Sequence, residues 1–286
     1  MPVKNWWEEF AAVPETINGV LRAHGVREIG ISDITITDKS VNDLVKEEKV
    51  LSNAIVDKVW PSIDNKVVYH YTSKDAAESI LNTSFFRLYN LSKRFTEGEI
   101  VTFCENHGLS GYLKEENGEP YYKTQIMKNM YYSSFTETAL TDEQEAYFWR
   151  TFAPFDGVRL KLSIQASNPN FRPMVYENKA GQPIGLLSDL VREIRNKHDR
   201  EFVLSGISRL CAFYLAKDFD VENEYRILFR NWDDGSVKPK TDRGTSYIEI
   251  PLGSMGPTGY KIEVLEVQSN ETLSIPSRYQ VQPRSA

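Results

Sequence analysis

Residues 66–75 read Lys-Val-Val-Tyr-His-Tyr-Thr-Ser-Lys-Asp and place a short strand directly before a helix. The first six residues are rich in valine and tyrosine, which favour a strand. Thr72 or Ser73 then offers a hydroxyl as the helix N-cap, and Asp75 falls in the first turn, where acidic residues stabilise a helix. The stretch therefore predicts a strand, a tight turn and a helix, with His70 at the end of the strand.

Outward from this stretch, short strands and helices alternate without a regular βαβ pattern. Further strands are predicted at 85–91, 131–136, 158–164, 221–229, near 245–251 and near 260–267. Further helices are predicted between Thr141 and the break at Gly157, at about 185–198 and at 201–217, whereas the polar residues 104–124 are predicted to be loop. This order of elements favours an α+β fold.

The N-terminal part of the chain has a different, mainly helical pattern. Apolar residues recur there at near-helical spacing: Leu44, Val45, Val50, Leu51, Ile55, Val56 and Val59. Trp60-Pro61 ends the pattern, because a residue before proline avoids the α region. We therefore expect an N-terminal helical subregion over 1–62, a main domain over 63–270 and a C-terminal tail over 271–286.

Composition excludes several classes of protein. The chain has 286 residues, and 41% of them are apolar, which is too many for a wholly disordered chain. The net charge of −6 argues against a general polyanion binder, and the distant pair Cys104 and Cys211 argues against a structural zinc site, so no metal is predicted. The longest apolar run, about 210–216, is too short for a membrane span, and the N-terminus lacks signal-peptide features. We expect a soluble, cytoplasmic protein with no membrane partner.

Two polar groups could carry chemistry. His70 lies between two tyrosines, so its imidazole could bind a ligand hydroxyl beside flat aromatic faces; the alternative is a half-buried structural histidine. Glu222 and Glu224 alternate on a predicted strand, which places both carboxylates and Arg226 on one face. Neighbouring carboxylates can take different roles; the alternative is a solvated ladder of charges on an exposed face.

A third candidate combines small hydroxyl residues with aromatic rings. Ser133, Ser134 and Thr136 flank Phe135, and Trp149 lies on the helix that follows. Such residues can bracket a planar ring, while the alternative is a core phenylalanine and a tryptophan on a helix face. The sequence contains no serine-hydrolase elbow, no phosphate-binding P-loop and no His-Glu-x-x-His zinc motif.

The order of these pieces resembles the DUF2971 family. The carrying segments are Val-Val-Tyr-His-Tyr-Thr-Ser at 67–73, Ser-Phe-Thr at 134–136, Phe-Trp-Arg at 148–150, Gly-Val-Arg-Leu at 157–160, and Lys217 followed by Glu-Asn-Glu-Tyr-Arg at 222–226. The resemblance covers about residues 66–267 and leaves 1–62 uncovered. That family in turn resembles ADP-ribosyltransferases of the His-Tyr-Glu type. The resemblance implies a split β-sheet core over 63–270, with flanking helices, that binds NAD as a substrate in a cleft.

The resemblance also implies roles for individual residues. Those implied to bind NAD are His70, Tyr71, Thr72, Ser134, Phe135 and Trp149. Tyr71, Tyr132 and Phe135 compete for the place stacked on nicotinamide. Glu224 would stabilise the oxocarbenium-like transition state, Glu222 would orient or deprotonate the acceptor, and His70 would hydrogen-bond the cofactor. Glu224, Glu222 and His70 are thus the predicted catalytic residues.

The implied function is transfer of ADP-ribose to a macromolecular acceptor, protein or nucleic acid, with release of nicotinamide. Two alternatives stay open: an NAD glycohydrolase that transfers to water, and an inactive nucleotide-binding or interaction module. Proteins of this kind are often toxins or phage-defence effectors. An antitoxin or regulatory protein is therefore an expected partner, with residues 1–62 as its candidate docking surface.

Overall fold

The computed structural model describes residues 6–43, 49–94, 97–123, 127, 129–176, 184–215, 217–231 and 236–284. The chain forms two compact units, each assembled from three segments. The helical unit comprises Met1–Pro61, Phe95–Ile126 and Val175–Lys217. The sheet unit comprises Ser62–Arg94, Met127–Met174 and Asp218–Ala286.

Helices and strands alternate along the chain. The α-helices are α1 Trp6–Ala23, α2 Val50–Val59, α3 Lys74–Thr83, α4 Leu91–Arg94, α5 Glu97–His107, α6 Asp142–Phe152 and α7 Gly185–His198. Short 3₁₀ helices cover Ile31–Asp33, Ser110–Leu113, Ile207–Phe213 and Lys217–Glu222. The strands are β1 Thr35–Ile36, β2 Ser40–Asn42, β3 Asn65–Thr72, β4 Phe85–Asn90, β5 Glu115–Glu116, β6 Glu119–Pro120, β7 Met130–Thr136, β8 Val158–Ala166, β9 Phe171–Pro173, β10 Val175–Tyr176, β11 Glu201–Val203, β12 Tyr214–Leu215, β13 Glu224–Arg230, β14 Lys240–Asp242, β15 Thr245–Pro251, β16 Tyr260–Gln268 and β17 Val281–Gln282.

The helical unit differs from the segment 1–62 that the sequence predicts. α1 packs against α7, and α2 and α5 pack against the 3₁₀ helix at Ile207–Phe213. The N-terminal helices therefore bury their apolar sides on elements that come much later in the chain. The unit is also not purely helical, because β1, β2 and β11 form a small sheet. The apolar positions Leu44 and Val45 lie outside the described residues.

The sheet unit is built on a ten-stranded sheet. Its main path runs β14-β15-β4-β7-β3-β8-β16-β17, while β13 pairs with β7 and β9 pairs with β13. Most pairs are antiparallel and β16 with β17 is parallel, so the sheet is mixed. Buried residues of α3 pack against this sheet and form its main core with the strands. The predicted α+β class is confirmed as a large mixed sheet with flanking helices.

Strand β7 holds the sheet together and also marks where it divides. Along one edge, β7 pairs with β13 over its whole length. Along the other edge it pairs with β4 only at Tyr131 and Tyr132, and with β3 only at Thr136. Residues 133–135 lie between these contacts, and there β3 and β4 part from β7. We call this place the fork.

The predictions of secondary structure for residues 201–217 and 104–124 are wrong. Residues 201–217 do not form one helix; they form β11, a 3₁₀ helix and β12. Residues 207 and 210–213 are buried, and a short buried apolar run does not distinguish a helix from other buried structure. Residues 104–124 are not all loop either, since α5 continues to His107 and two short strands follow.

Candidate functional site

A cavity of about 630 Å³ opens at the fork within the sheet unit. Its walls are the end of β3, the first turns of α3, the strands β4 and β7, helix α6 and the chain that enters β13. The predicted site residues that line it are His70, Tyr71, Thr72, Ser134, Phe135, Glu222 and Glu224. The structure therefore brings together every predicted site residue except Trp149.

His70 bridges the fork. Its Nδ1 lies 3.2 Å from the carbonyl oxygen of Ser134 in β7. A carbonyl can only accept, so Nδ1 carries the proton of this bond and Nε2 is the acceptor nitrogen of the neutral ring. The imidazole also contacts Phe86 and Phe135, with ring centroids 5.1 and 5.6 Å away. The ring is thus held in one orientation at the cavity wall.

Glu224 and Arg226 form a buried ion pair on β13. Arg226 donates from Nε to one carboxylate oxygen at 2.5 Å and from Nη2 to the other at 3.2 Å. Both side chains are only 6% exposed. The register pairs Glu224 with Thr136 and Arg226 with Ser134, so these four residues share one face of the sheet. The expectation of a solvated ladder of charges is therefore wrong for this pair.

Glu222 does not lie on the strand with Glu224, which corrects the sequence prediction. It ends the 3₁₀ helix at Lys217–Glu222, and Asn223 follows with a left-handed φ of 41° before β13 begins. The Thr136 hydroxyl fixes the backbone by donating to the Glu222 carbonyl at 2.8 Å. The Tyr147 hydroxyl of α6 donates to the Glu222 carboxylate at 3.3 Å.

The environment of Glu222 makes it a different acid from Glu224. Burial and, after it, the negative charge of Glu224 together raise the pKa of Glu222 to about 7. A carboxyl group with a pKa near 7 can exchange a proton at physiological pH. Glu224, in contrast, is bound by the guanidinium of Arg226 in a buried ion pair.

Tyr71 and Trp149 belong to a separate aromatic cluster. Tyr71 stacks on Phe148 of α6 with ring centroids 5.3 Å apart, and burial raises its pKa to about 12. Trp149 meets the edge of Tyr71 at 5.1 Å but does not line the cavity. The Arg284 guanidinium lies 3.8 Å above the Trp149 ring, and the indole N–H donates to Glu145. Trp149 therefore packs against the lining residue Tyr71 without lining the cavity itself.

The three aromatic rings that compete for the stacking place differ in exposure. Phe135 is 3% exposed and packs between His70 and Phe86 in the main core. Tyr71 is 8% exposed and stacked on Phe148. Tyr132 is partly exposed in the cavity wall, on the same face of the sheet as Ser134 and Thr136. Tyr132 is thus the ring of the three that can reach a ligand with the least rearrangement.

Sequence reasoning missed other cavity residues. Phe148 and Phe152 come from α6, whose predicted start is confirmed by a capping box between Thr141 and Gln144. Arg87 and Tyr89 come from β4, where they alternate with buried residues and so share one face. That alternation was a usable signal, because two polar side chains at positions i and i+2 of a strand point the same way.

Among the described residues, no three His, Cys, Asp or Glu side chains are grouped so that they could hold a metal ion. None of the helices in that part of the chain has the length and apolar character needed to cross a membrane. Comparison of the chain with protein-family models, with curated proteins and with solved structures finds no match in any of the three.

Proposed function

We propose that the protein is an NAD-dependent ADP-ribosyltransferase that moves ADP-ribose to a macromolecular acceptor and releases nicotinamide. One observation carries the proposal. His70, Ser134, Glu222 and Glu224 are far apart in the sequence, yet they line one cavity at the fork of the sheet. The parting of β3 and β4 from β7 also supports the finer assignment to an ADP-ribosyltransferase-like split sheet.

Glu224 supplies the electrostatic part of the mechanism. When the bond between nicotinamide and C1′ of its ribose breaks, nicotinamide leaves with the electron pair and positive charge develops on the ribose. A carboxylate already fixed beside that carbon stabilises the charge without having to reorganise. Arg226 provides the fixing, because it holds both carboxylate oxygens of Glu224.

Glu222 supplies the proton acceptor. The acceptor nucleophile forms its bond to C1′ and loses a proton, which passes to the Glu222 carboxylate. A base is most effective when its pKa lies near the working pH, and a pKa of about 7 meets that condition. Tyr147 orients the carboxylate through its hydrogen bond.

The remaining roles concern binding. Tyr132 stacks on the nicotinamide ring, since Tyr71 and Phe135 are already packed against other rings. His70 lines the cavity wall and hydrogen-bonds the cofactor through its imidazole. Thr72 and Ser134 contribute polar groups to the same wall.

The test measures nicotinamide released from NAD by the wild-type protein and by Glu224→Gln, Glu222→Gln and the exposed control Glu271→Gln. We expect Glu224→Gln to lose nicotinamide release and Glu271→Gln to keep it, with all variants folded by circular dichroism. Full activity in Glu224→Gln, or no release by the wild type in the presence of cell extract, would refute the proposal.

A labelled NAD analogue then separates the candidate reactions. Label in the protein or nucleic-acid fraction of an extract supports transfer to that acceptor class. Free ADP-ribose without a labelled acceptor would instead identify an NAD glycohydrolase. Failure of the wild type to bind NAD in calorimetry at millimolar concentration would identify an inactive module.

A further inference from the structure

We infer that Arg87 forms an anion subsite in the cavity, and that it binds the pyrophosphate group of a dinucleotide. The inference rests on the proposed function in treating the cavity as a dinucleotide site. Arg87 lies on β4 and lines the cavity, but it has no part in the mechanism described above. Sequence reasoning did not single it out.

The geometry of Arg87 is fixed before any ligand arrives. Its guanidinium lies 4.4 Å above the Tyr247 ring, and Nη1 donates to Asp242 at 3.1 Å. A guanidinium carries five N–H donors. The hydrogen bond to Asp242 uses one of them, so other N–H groups of Arg87 can donate to a phosphate. A planar, pre-oriented fork of donors is suited to two phosphate oxygens at once.

The charged side chains of the cavity lining lie on two different sides of β7. The carboxylates of the lining are Glu222 and Glu224, and they lie beside Arg226 on the β13 side of β7. Arg87 lies on the β4 side, and its counter-ion Asp242 is half exposed and outside the lining. An exposed counter-ion is screened by solvent and holds its partner only weakly. Arg87, a cation, is therefore the charged side chain that β4 contributes to the cavity lining.

This arrangement of charges determines which part of a bound dinucleotide lies at each end of the cavity. β13 and β4 pair with opposite edges of β7, and at Tyr132, where both strands are paired, their backbones are two strand spacings, roughly 10 Å, apart. The proposed chemistry places the nicotinamide ribose at the β13 end, beside Glu224. The pyrophosphate that follows the ribose then lies toward the β4 side of the cavity, where Arg87 and Tyr89 share one face of β4.

The experiment measures binding of ADP, which carries the pyrophosphate but cannot react, by isothermal titration calorimetry. We expect Arg87→Gln to weaken ADP binding about 10- to 100-fold, the range for losing a charged hydrogen bond. Adenosine, which lacks phosphate, is expected to bind both proteins equally. The matched control is Arg278→Gln, which removes an arginine that lies 4.9 Å from the Tyr279 ring outside the cavity lining.

A second variant separates ligand binding from structural support. Asp242→Asn breaks the same ion pair as Arg87→Gln but leaves the cation in place, so it is expected to bind ADP within about threefold of the wild type. Equal losses of ADP binding in the two variants would assign Arg87 a structural role and overturn the inference. Unchanged ADP binding in Arg87→Gln, or no ADP binding by the wild type at millimolar concentration, would overturn it as well.

The same proteins are assayed for nicotinamide release, so the two proposals can fail separately. ADP binding that depends on Arg87, without nicotinamide release, would leave the subsite standing and refute the enzyme. Nicotinamide release with ADP binding that ignores Arg87 would leave the enzyme standing and refute the subsite.

Discussion

Glu222→Gln is expected to stabilise the folded protein above neutral pH. Burial and the nearby Glu224 raise the pKa of Glu222 from an ordinary 4.5 to about 7. The folded protein therefore holds this proton more tightly than the unfolded chain does. The resulting stability is fully present below about pH 4.5 and is lost as the pH rises through about 7.

The size of the effect follows from the same values. At 1.36 kcal/mol per pH unit, a pKa near 7 in place of 4.5 corresponds to about 3 kcal/mol. Glu222 is only partly buried, so solvent screens part of this energy and we expect about 1 to 2 kcal/mol. Glutamine cannot ionise, so the variant does not carry the free-energy cost of a buried negative charge at high pH. Its side-chain carbonyl can still accept the hydrogen bond from Tyr147.

Urea unfolding between pH 4.5 and 8.5 measures the difference. The free energy of unfolding of Glu222→Gln should exceed that of the wild type by about 1 to 2 kcal/mol at pH 8 and should converge with it near pH 4.5. Glu271→Gln removes the same charge from an exposed position and controls for the change in net charge. A constant offset between Glu222→Gln and the wild type at all pH values would show that Glu222 does not titrate near 7.

Three further outcomes test the site. The rate of nicotinamide release by the wild type should rise with pH through about 7, as Glu222 loses its proton, and a stopped assay across pH 5.5–8.5 should show this limb absent in Glu222→Gln. Arg226→Gln leaves the buried Glu224 unpaired and should lower the free energy of unfolding by about 3 to 5 kcal/mol, most of which the double variant with Glu224→Gln should restore in the same urea titration. Tyr132→Ala should weaken NAD binding by about 1 to 3 kcal/mol in calorimetry while Tyr132→Phe keeps it, and equal losses in both would place the contribution in the hydroxyl instead of the ring.

Local sequence features in residues 66–75 were sufficient to predict the structure around His70 correctly. The strand and helix predicted from residues 66–75 correspond to β3 and α3, and the Ser73 hydroxyl accepts from the backbone N–H of Ala76 as an N-cap. Strand propensity and capping act between near neighbours in the chain. A single sequence therefore contains what is needed to place such an element.

The fork depends on pairings that no local pattern reveals. β7 was predictable as a strand, but its three partners lie at 65–72, 85–90 and 224–230. Trp149 illustrates the same limit. Its helix was predicted, yet the guanidinium that covers its ring comes from Arg284, over a hundred residues later. Which face of a predicted element meets a ligand is decided by such distant neighbours.

The two carboxylates owe their different chemistry to the turn between them. An unbroken strand from Val221 would have placed Glu222 and Glu224 as equivalent neighbours on one face. Instead, Asn223 has a left-handed backbone conformation, and β13 begins after it, at Glu224. The Glu224 carboxylate then accepts hydrogen bonds from Nε and Nη2 of Arg226.

Glu222 lies outside the ladder and receives the Tyr147 hydroxyl, a neutral donor that does not force it to ionise. A carboxylate paired with a guanidinium can serve as a fixed anion, while a nearby carboxyl group with a raised pKa can serve as a proton acceptor. Transfer of a glycosyl group to a nucleophile needs both: an anion at the ribose while nicotinamide leaves, and a base for the proton that the nucleophile loses.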